Sequence, residues 1–115
     1  MRSAIPHLRK RADFLRVAAT RRRWTTHGVV LQIAPRPADT GDAPRVGYTA
    51  SRKVGNAVVR NRTRRRLREA ARLLLRERPV HGMDLVLVGR DATRSRPFAL
   101  LVEDLRRALD KVGAR

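Results

Sequence analysis

The residues of this sequence best suited to binding chemistry are arginines that crowd into one segment near its centre. They are Arg60, Arg62, Arg64, Arg65, Arg66, Arg68, Arg72 and Arg76. A guanidinium group is planar, grips phosphate oxygens two at a time and stacks on bases. This density of arginine predicts that the segment binds a polyanion, and nucleic acid is the expected class of partner.

The arginine segment also has the periodicity of an amphipathic helix. One narrow arc of the helical wheel, which should face the core, holds Val59, Thr63, Leu67, Ala70 and Leu74. The opposite side holds Asn61, Arg64, Arg65, Arg68 and Arg72. Only Glu69 interrupts the positive charge before Glu77, so pairing within the helix neutralises little of it. The charge favours a nucleic-acid-binding face, and the alternative is an ordinary solvated helix surface.

The whole chain, like its central segment, is strongly basic. Its 115 residues contain 28 Lys and Arg against 10 Asp and Glu, a net charge of +18. Nearly all of this charge lies in the stretches 1–23 and 45–78, and of the basic residues only Lys10, Lys53 and Lys111 are lysines. Self-repulsion of this size is tolerated mainly when a polyanion neutralises it. The binding surface should therefore be built from the N-terminal region and the centre of the chain.

Catalysis by side chains of this chain is not expected. Cysteine is absent, which excludes disulfides and thiol nucleophiles, and the three histidines, His7, His27 and His81, are dispersed. The acids are scattered rather than clustered for two-metal hydrolysis. Asp84 and Asp91 could be metal ligands, although strand-end and loop roles are favoured. No secretory signal or membrane span is visible, so we expect a soluble, cytoplasmic protein.

The elements that position the arginines can be read from periodicity. Apolar residues at Leu8, Ala12, Leu15 and Ala19 predict a first helix with an inward stripe. Strands are predicted at 29–34 and 45–51, joined as a hairpin across a Pro- and Gly-rich loop, and a central strand covered on both faces at 84–89. The central helix should run from an Asn56 cap to Glu77, before Pro79, and a last helix should span 97–112. We predict one α+β domain.

The approach to the central helix is a second candidate phosphate site. Gly55 can adopt backbone angles closed to other residues, and Asn56 can cap the helix. Helix N-termini bind phosphate through free backbone N–H groups. A simple strand-to-helix turn explains these two residues equally well.

The run SRKVGNAVVRNRTRRRLRE, from Ser51 to Glu69, resembles the signature of the bacterial ribonuclease P protein family, whose hallmark is an Arg-Asn-Arg element in a basic helix, here Arg60, Asn61 and Arg62. The resemblance extends to ADFLRV near the N-terminus, to RVGYTAS and to DLVLVGR, with the spacing between them. It covers nearly the whole chain.

The resemblance implies a fold. Members are single-domain α+β two-layer sandwiches of the order α-β-β-β-α-β-α, similar to the second domain of ribosomal protein S5, with a left-handed crossover carrying the basic helix. This order requires a short extra strand near Arg22 to Trp24. The domain would occupy residues 1–115.

The resemblance also implies a function. The protein would be the RNA-binding subunit of an endoribonuclease that matures the 5′ ends of transfer RNA precursors, with catalysis and the required Mg²⁺ belonging to the RNA. The positions carried over to the side that binds the catalytic RNA are Arg52, Lys53, Asn56, Arg60, Asn61, Arg62, Arg65, Arg66 and Arg68. Phe14 would bind the 5′ leader in a cleft between the first helix and the sheet. No cofactor bound by the protein alone, no membrane and no obligate protein partner are expected.

Some alternatives stay open. Phe14 could be ordinary core, and the cleft aromatics that relatives often carry are replaced here by Ala18 and Gln32. Trp24 could compensate or could be core. A ribosomal or other RNA-scaffold protein is the alternative function, and a membrane-bound helix is disfavoured because the apolar face of the central helix is needed for the core.

Overall fold

The computed structural model describes residues 5–115 and has three helices and one four-stranded sheet. The elements in chain order are α1 Arg11–Ala19, β1 Arg23–Thr25, β2 Val29–Pro35, β3 Arg45–Ala50, α2 Ala57–Glu77, β4 Met83–Gly89 and α3 Phe98–Val112. Short 3₁₀ turns at Arg52–Val54 and Asp91–Arg94 precede α2 and α3. The α+β class and the order α-β-β-β-α-β-α are confirmed, including the short strand at Trp24.

The strand order is β1-β2-β4-β3, so the predicted hairpin of β2 with β3 is wrong. β2 pairs antiparallel with β1 and along its whole length with β4, whereas β3 pairs parallel with β4. β4 is nearly all apolar and buried on both faces, as predicted, so it takes the interior position and separates β2 from β3. The crossover between the adjacent parallel strands β3 and β4 carries α2.

The main core lies between one face of the sheet and the helices α2 and α3. It includes Leu31 and Ile33 of β2, Leu85 and Leu87 of β4, and the inward stripe of α2. Within that stripe Thr63, Leu67, Ala70 and Leu74 are buried and Val59 is half-buried, which confirms the predicted inward side of α2. On α3, Leu101, Leu105, Ala108 and Leu109 are buried, whereas Phe98 and Leu100 are exposed. α2 is therefore fixed along its apolar side and presents the other side outward.

The first helix differs from its prediction. It begins at Arg11, because residues 6–8 are extended and hydrogen-bond to Val46 of β3, which buries Leu8 outside the helix. The predicted stripe of Ala12, Leu15 and Ala19 faces solvent, with Leu15 56% exposed. Val17 is the buried residue of α1 and joins a small second cluster on the other face of the sheet.

An ion cluster holds α1 in place. Asp84 of β4 is fully buried and pairs with Arg16 of α1 and with Arg45 of β3, whose Nη2 lies 2.6 Å from its Oδ2. Arg16 also donates to the carbonyl of Pro35 at 3.0 Å. The partners of Asp84 are arginines, which is the strand-end role rather than a metal-binding one. None of the helices within residues 5–115 is long and apolar enough to cross a membrane.

Candidate nucleic-acid interface

The outward side of α2 is a row of exposed polar and cationic side chains. Asn61, Arg62, Arg65 and Arg68 are all exposed. No hydrogen bond or ion pair to another described residue engages the side chains of Arg62 and Arg65. The row formed by Asn61, Arg62, Arg65 and Arg68 is called the α2 face below. The guanidinium groups of Arg62 and Arg65 are therefore available to bind phosphates.

The entry to α2 extends this face. Arg52 and Lys53 are exposed on the 3₁₀ turn, and Asn56 caps the helix by accepting the Val59 N–H at 3.0 Å. Gly55 has φ 153°, and a Cβ there would lie 2.8 Å from that of Val59. Glycine is therefore required at this close turn. The side-chain oxygen of Asn56 serves the cap, which leaves its amide NH₂ for a ligand.

Two of the predicted RNA-facing arginines are engaged with the protein itself. Arg60 donates to the carbonyl of Gly55 at 3.2 Å. Arg66 donates to the carbonyls of Thr93 and Arg96 at 2.6 and 2.5 Å, so it clamps α2 to the 3₁₀ turn before α3. The structure gives Arg66 a positioning role that its sequence neighbourhood did not indicate, and separates it from the α2 face.

At the β3 edge, an aromatic contact connects α2 with the N-terminal segment. The guanidinium of Arg68 lies 5.6 Å from the ring centroid of Tyr48, and His7 meets the same ring edge-on at 5.7 Å. Burial raises the pKa of Tyr48 to about 12, and its hydroxyl has no hydrogen-bond partner among the described residues. Burial, then the charges of Arg68 and Arg9, lowers the pKa of His7.

A cleft of about 480 Å³ lies between α1 and the sheet, on the face opposite the main core. Its lining residues are Arg9, Arg11, Phe14, Leu15, Ala18, Gln32, Tyr48, Thr49, Val86 and Val88. It has an apolar floor and two arginines, Arg9 from the segment before α1 and Arg11 from the first turn of α1. Such a surface suits a single strand of nucleic acid, with bases on the apolar part and phosphates on the arginines.

Phe14 combines both interpretations that the sequence left open. Its ring packs over Gly47, where a Cβ would lie 2.6 Å from its Cζ, and against the second core cluster. It is only half-buried, and the ring also lines the cleft. Phe14 is thus both a packing residue and a cleft wall.

The departures from the family pattern fall in this cleft. Ala18 and Gln32 line it, as the resemblance implied, and they offer no second ring there. Trp24 does not line the cleft, because it pairs with Leu31 and so lies on the opposite face of the sheet. The sequence interpretation missed Arg9, Arg11 and Tyr48 as cleft residues. The basic stretch ahead of Phe14 was a signal for the two arginines, whereas Tyr48 reaches the cleft only through strand pairing.

Comparison with known proteins gives a consistent result. The family model described as Ribonuclease P matches residues 4–113. The ribonuclease P protein component of Gluconacetobacter diazotrophicus is 59% identical over 108 residues, which is 94% of this chain and 91% of that protein. The corresponding protein of Paramagnetospirillum magneticum is 50% identical over 116 residues, covering 99% and 87% of the two chains.

Solved structures agree on the fold. The ribonuclease P protein of Staphylococcus aureus superposes with a TM-score of 0.75 at 23% identity and covers 95% of each chain. That of Thermotoga maritima gives 0.73 at 27% identity, over 88% of this chain and 92% of its own. With the fold, the basic helix and the family match in agreement, the chain belongs to the ribonuclease P protein family.

Proposed function

We propose that this chain is the RNA-binding subunit of ribonuclease P and that the α2 face binds the catalytic RNA. The observation that carries this proposal is the exposed α2 face, where the guanidinium groups of Arg62 and Arg65 have no hydrogen bond or ion pair to another described residue. Each phosphate that such a group neutralises releases a condensed counterion, and this release drives binding. Arg52, Lys53 and the amide of Asn56 extend the same surface around the start of the helix.

The cleft under α1 is proposed to hold the 5′ leader of precursor transfer RNA. Phe14 offers a stacking surface that accepts any base, and Arg9 and Arg11 lie at the same cleft for the phosphates. Stacking and charge do not discriminate sequence, which suits leaders of varied sequence. With one phenylalanine in place of several aromatic rings, leader binding depends more on charge here than in relatives that carry additional rings.

The cleavage chemistry is assigned to the RNA. Within residues 5–115 no three His, Asp or Glu side chains lie together as a candidate metal site, and we assign no catalytic residue to the chain. The protein lowers phosphate repulsion and positions the substrate, while Mg²⁺ held by the RNA supplies the hydrolytic step in the holoenzyme. We expect this holoenzyme to act in the cytoplasm and to need no further protein subunit.

Reconstitution tests the proposal directly. The full chain is mixed with ribonuclease P RNA, and cleavage of precursor transfer RNA is measured at a low Mg²⁺ concentration at which the RNA alone is inactive. Restored cleavage at the mature 5′ end supports the proposal. RNA binding without restored cleavage would favour a scaffold role and overturn the assignment.

A further inference from the structure

Trp24, the only tryptophan of the chain, lies exposed on the outer strand of the sheet. Its side chain is 41% exposed, although its strand partner Leu31, on the same face of the sheet, is fully buried in the core. The ammonium of Lys111 of α3 sits 5.6 Å from the ring centroid. The indole is therefore anchored by a cation and still presents a large accessible surface.

Three consecutive arginines precede this ring in the chain. Arg21 and Arg22 lead into β1, Arg23 begins it, and all three are exposed. Arg21 has φ 57°, the left-handed region that a residue with a Cβ rarely adopts, and strained positions of this kind cluster at functional sites. The turn is held by the Thr20 hydroxyl, which donates to the Ile33 carbonyl at 2.7 Å and accepts the Arg22 N–H at 3.2 Å.

None of the basic residues Arg21, Arg22, Arg23 and Lys111 forms an ion pair with an acid among the described residues. Arg22 donates to the carbonyl of Val112 at 3.0 Å, which fixes the end of α3 beside β1. Asp110, the acid next to Lys111 in the sequence, is paired with Arg78 at 2.8 Å. An exposed aromatic ring among cations matches the requirements for holding one nucleotide of a single strand.

The position of β1 connects this ring to the leader cleft. Arg23 pairs with Gln32, which lines the cleft, so Arg23 lies on the cleft face of the strand while Trp24 lies on the other. Strands are about 4.8 Å apart, so from β3 across to β1 the sheet spans about 14 Å. A single strand of RNA that crosses the cleft from the side of α2 therefore reaches the β1 edge of the sheet.

We propose that the upstream part of the leader leaves the cleft over the β1 edge and stacks a base on Trp24, with Arg21 and Arg23 holding its phosphates. The ligand is single-stranded RNA beyond the nucleotides held next to Phe14. The inference rests on the proposed leader function of the cleft and adds a second contact that only longer leaders can reach.

Intrinsic fluorescence tests this contact, because all tryptophan emission comes from Trp24. The holoenzyme is titrated with precursor transfer RNA carrying either a leader just long enough to fill the cleft or the same leader extended by unstructured nucleotides. Stacking should quench the emission with the extended leader and leave it nearly unchanged with the short one. Equal spectra with both leaders would overturn the proposal.

Affinity measurements provide the second arm. Trp24→Leu keeps an apolar side chain against α3, and it should bind the extended-leader precursor roughly 5- to 150-fold more weakly while binding the short-leader precursor as before. Trp24→Phe should restore most of the loss. Leu100→Ala, at a similarly exposed apolar position on α3, is the matched control and should bind both as wild type does.

The outcomes separate this contact from the leader function itself. If extension changes nothing but Phe14→Leu still weakens short-leader binding, the cleft function stands and the Trp24 contact is refuted. If the short-leader precursor binds no better than mature transfer RNA, the cleft function fails and the Trp24 contact fails with it. A loss in Trp24→Leu that is equal for both leaders, or present with the catalytic RNA alone, would assign Trp24 elsewhere and also refute the proposal.

Discussion

Replacing Arg62 and Arg65 together with alanine should weaken binding to ribonuclease P RNA and flatten its salt dependence while the fold survives. Both side chains are exposed on α2, and neither has a hydrogen bond or ion pair to another described residue. Neither lies on the buried stripe that holds the helix to the sheet. The substitution therefore removes charge from the α2 face without removing packing.

The expected change in slope follows from counterion release. Each lost phosphate contact shortens the slope of log K against log salt by about 0.7 to 0.9, so two contacts should shorten it by roughly 1.4 to 1.8. Folding stability should change little. The variant also removes like-charge pairs one turn apart, each unfavourable by roughly 0.2 to 0.5 kcal/mol on an exposed helix.

Binding is measured by filter retention or fluorescence anisotropy with the catalytic RNA alone over a range of salt concentrations, and unfolding by thermal melts. Arg107→Ala, which removes an exposed arginine from α3, is the control for the loss of one positive charge and should be compared with Arg65→Ala. An unchanged slope in the double variant would show that the α2 face does not bind the RNA. A slope that Arg107→Ala reduces as much as Arg65→Ala does would show the same.

Four further outcomes are expected. Phe14→Leu should weaken binding of leader-bearing precursor by about 1 to 3 kcal/mol and leave mature transfer RNA unaffected, whereas Phe14→Ala should also destabilise the fold because the ring packs over Gly47; a leader-independent loss in Phe14→Leu would contradict the cleft assignment. Arg66→Ala should lower the free energy of unfolding by roughly 2 kcal/mol or more without changing the salt slope, since it loses two charged hydrogen bonds to carbonyls. Asp84→Asn should cost roughly 1.5 to 3 kcal/mol in denaturant unfolding, because it weakens the charged hydrogen bonds to two half-buried arginines, and a change near zero would refute the role of the ion cluster. The lowered pKa of His7 means that the folded state favours the neutral ring, so stability is lost as the pH falls from the unfolded-state pKa of 6.5 through the lower folded-state pKa; in unfolding measurements wild type should lose stability relative to His7→Phe over that acid range.

The central helix was predictable because every signal that defines it is local. Asn56 caps it, Pro79 follows its end, and the apolar stripe has the helical period throughout. The observed helix, Ala57–Glu77, agrees with the prediction at both ends. β4 was predictable for a similar reason, since a continuous apolar run between turn residues favours a strand buried on both faces.

The failures concern pairings between distant residues. β2 and β3 are consecutive strands in the sequence, but they do not form a hairpin because β4, which comes later in the chain, lies between them in the sheet. The first helix carries apolar residues on more than one side, so periodicity alone could not decide whether Leu15 or Val17 faces inward. The resemblance carries Arg66 over to the RNA-facing side, and no local signal indicates its hydrogen bonds to carbonyls 27 and 30 residues further along the chain.

Some arginines pair with acids of the protein and others do not, and this explains how so basic a chain keeps a binding surface available. The two buried carboxylates, Asp84 and Asp104, take Arg16, Arg45 and Arg96 as partners, far from the outward side of α2. Other acids pair near the ends of α2 and α3, as Asp110 does with Arg78 and Glu77 with Arg106. These acids stabilise the fold where their arginines are held, and they are not positioned to neutralise the first half of α2. The same placement that compensates the interior therefore leaves the α2 face charged and available for a polyanion.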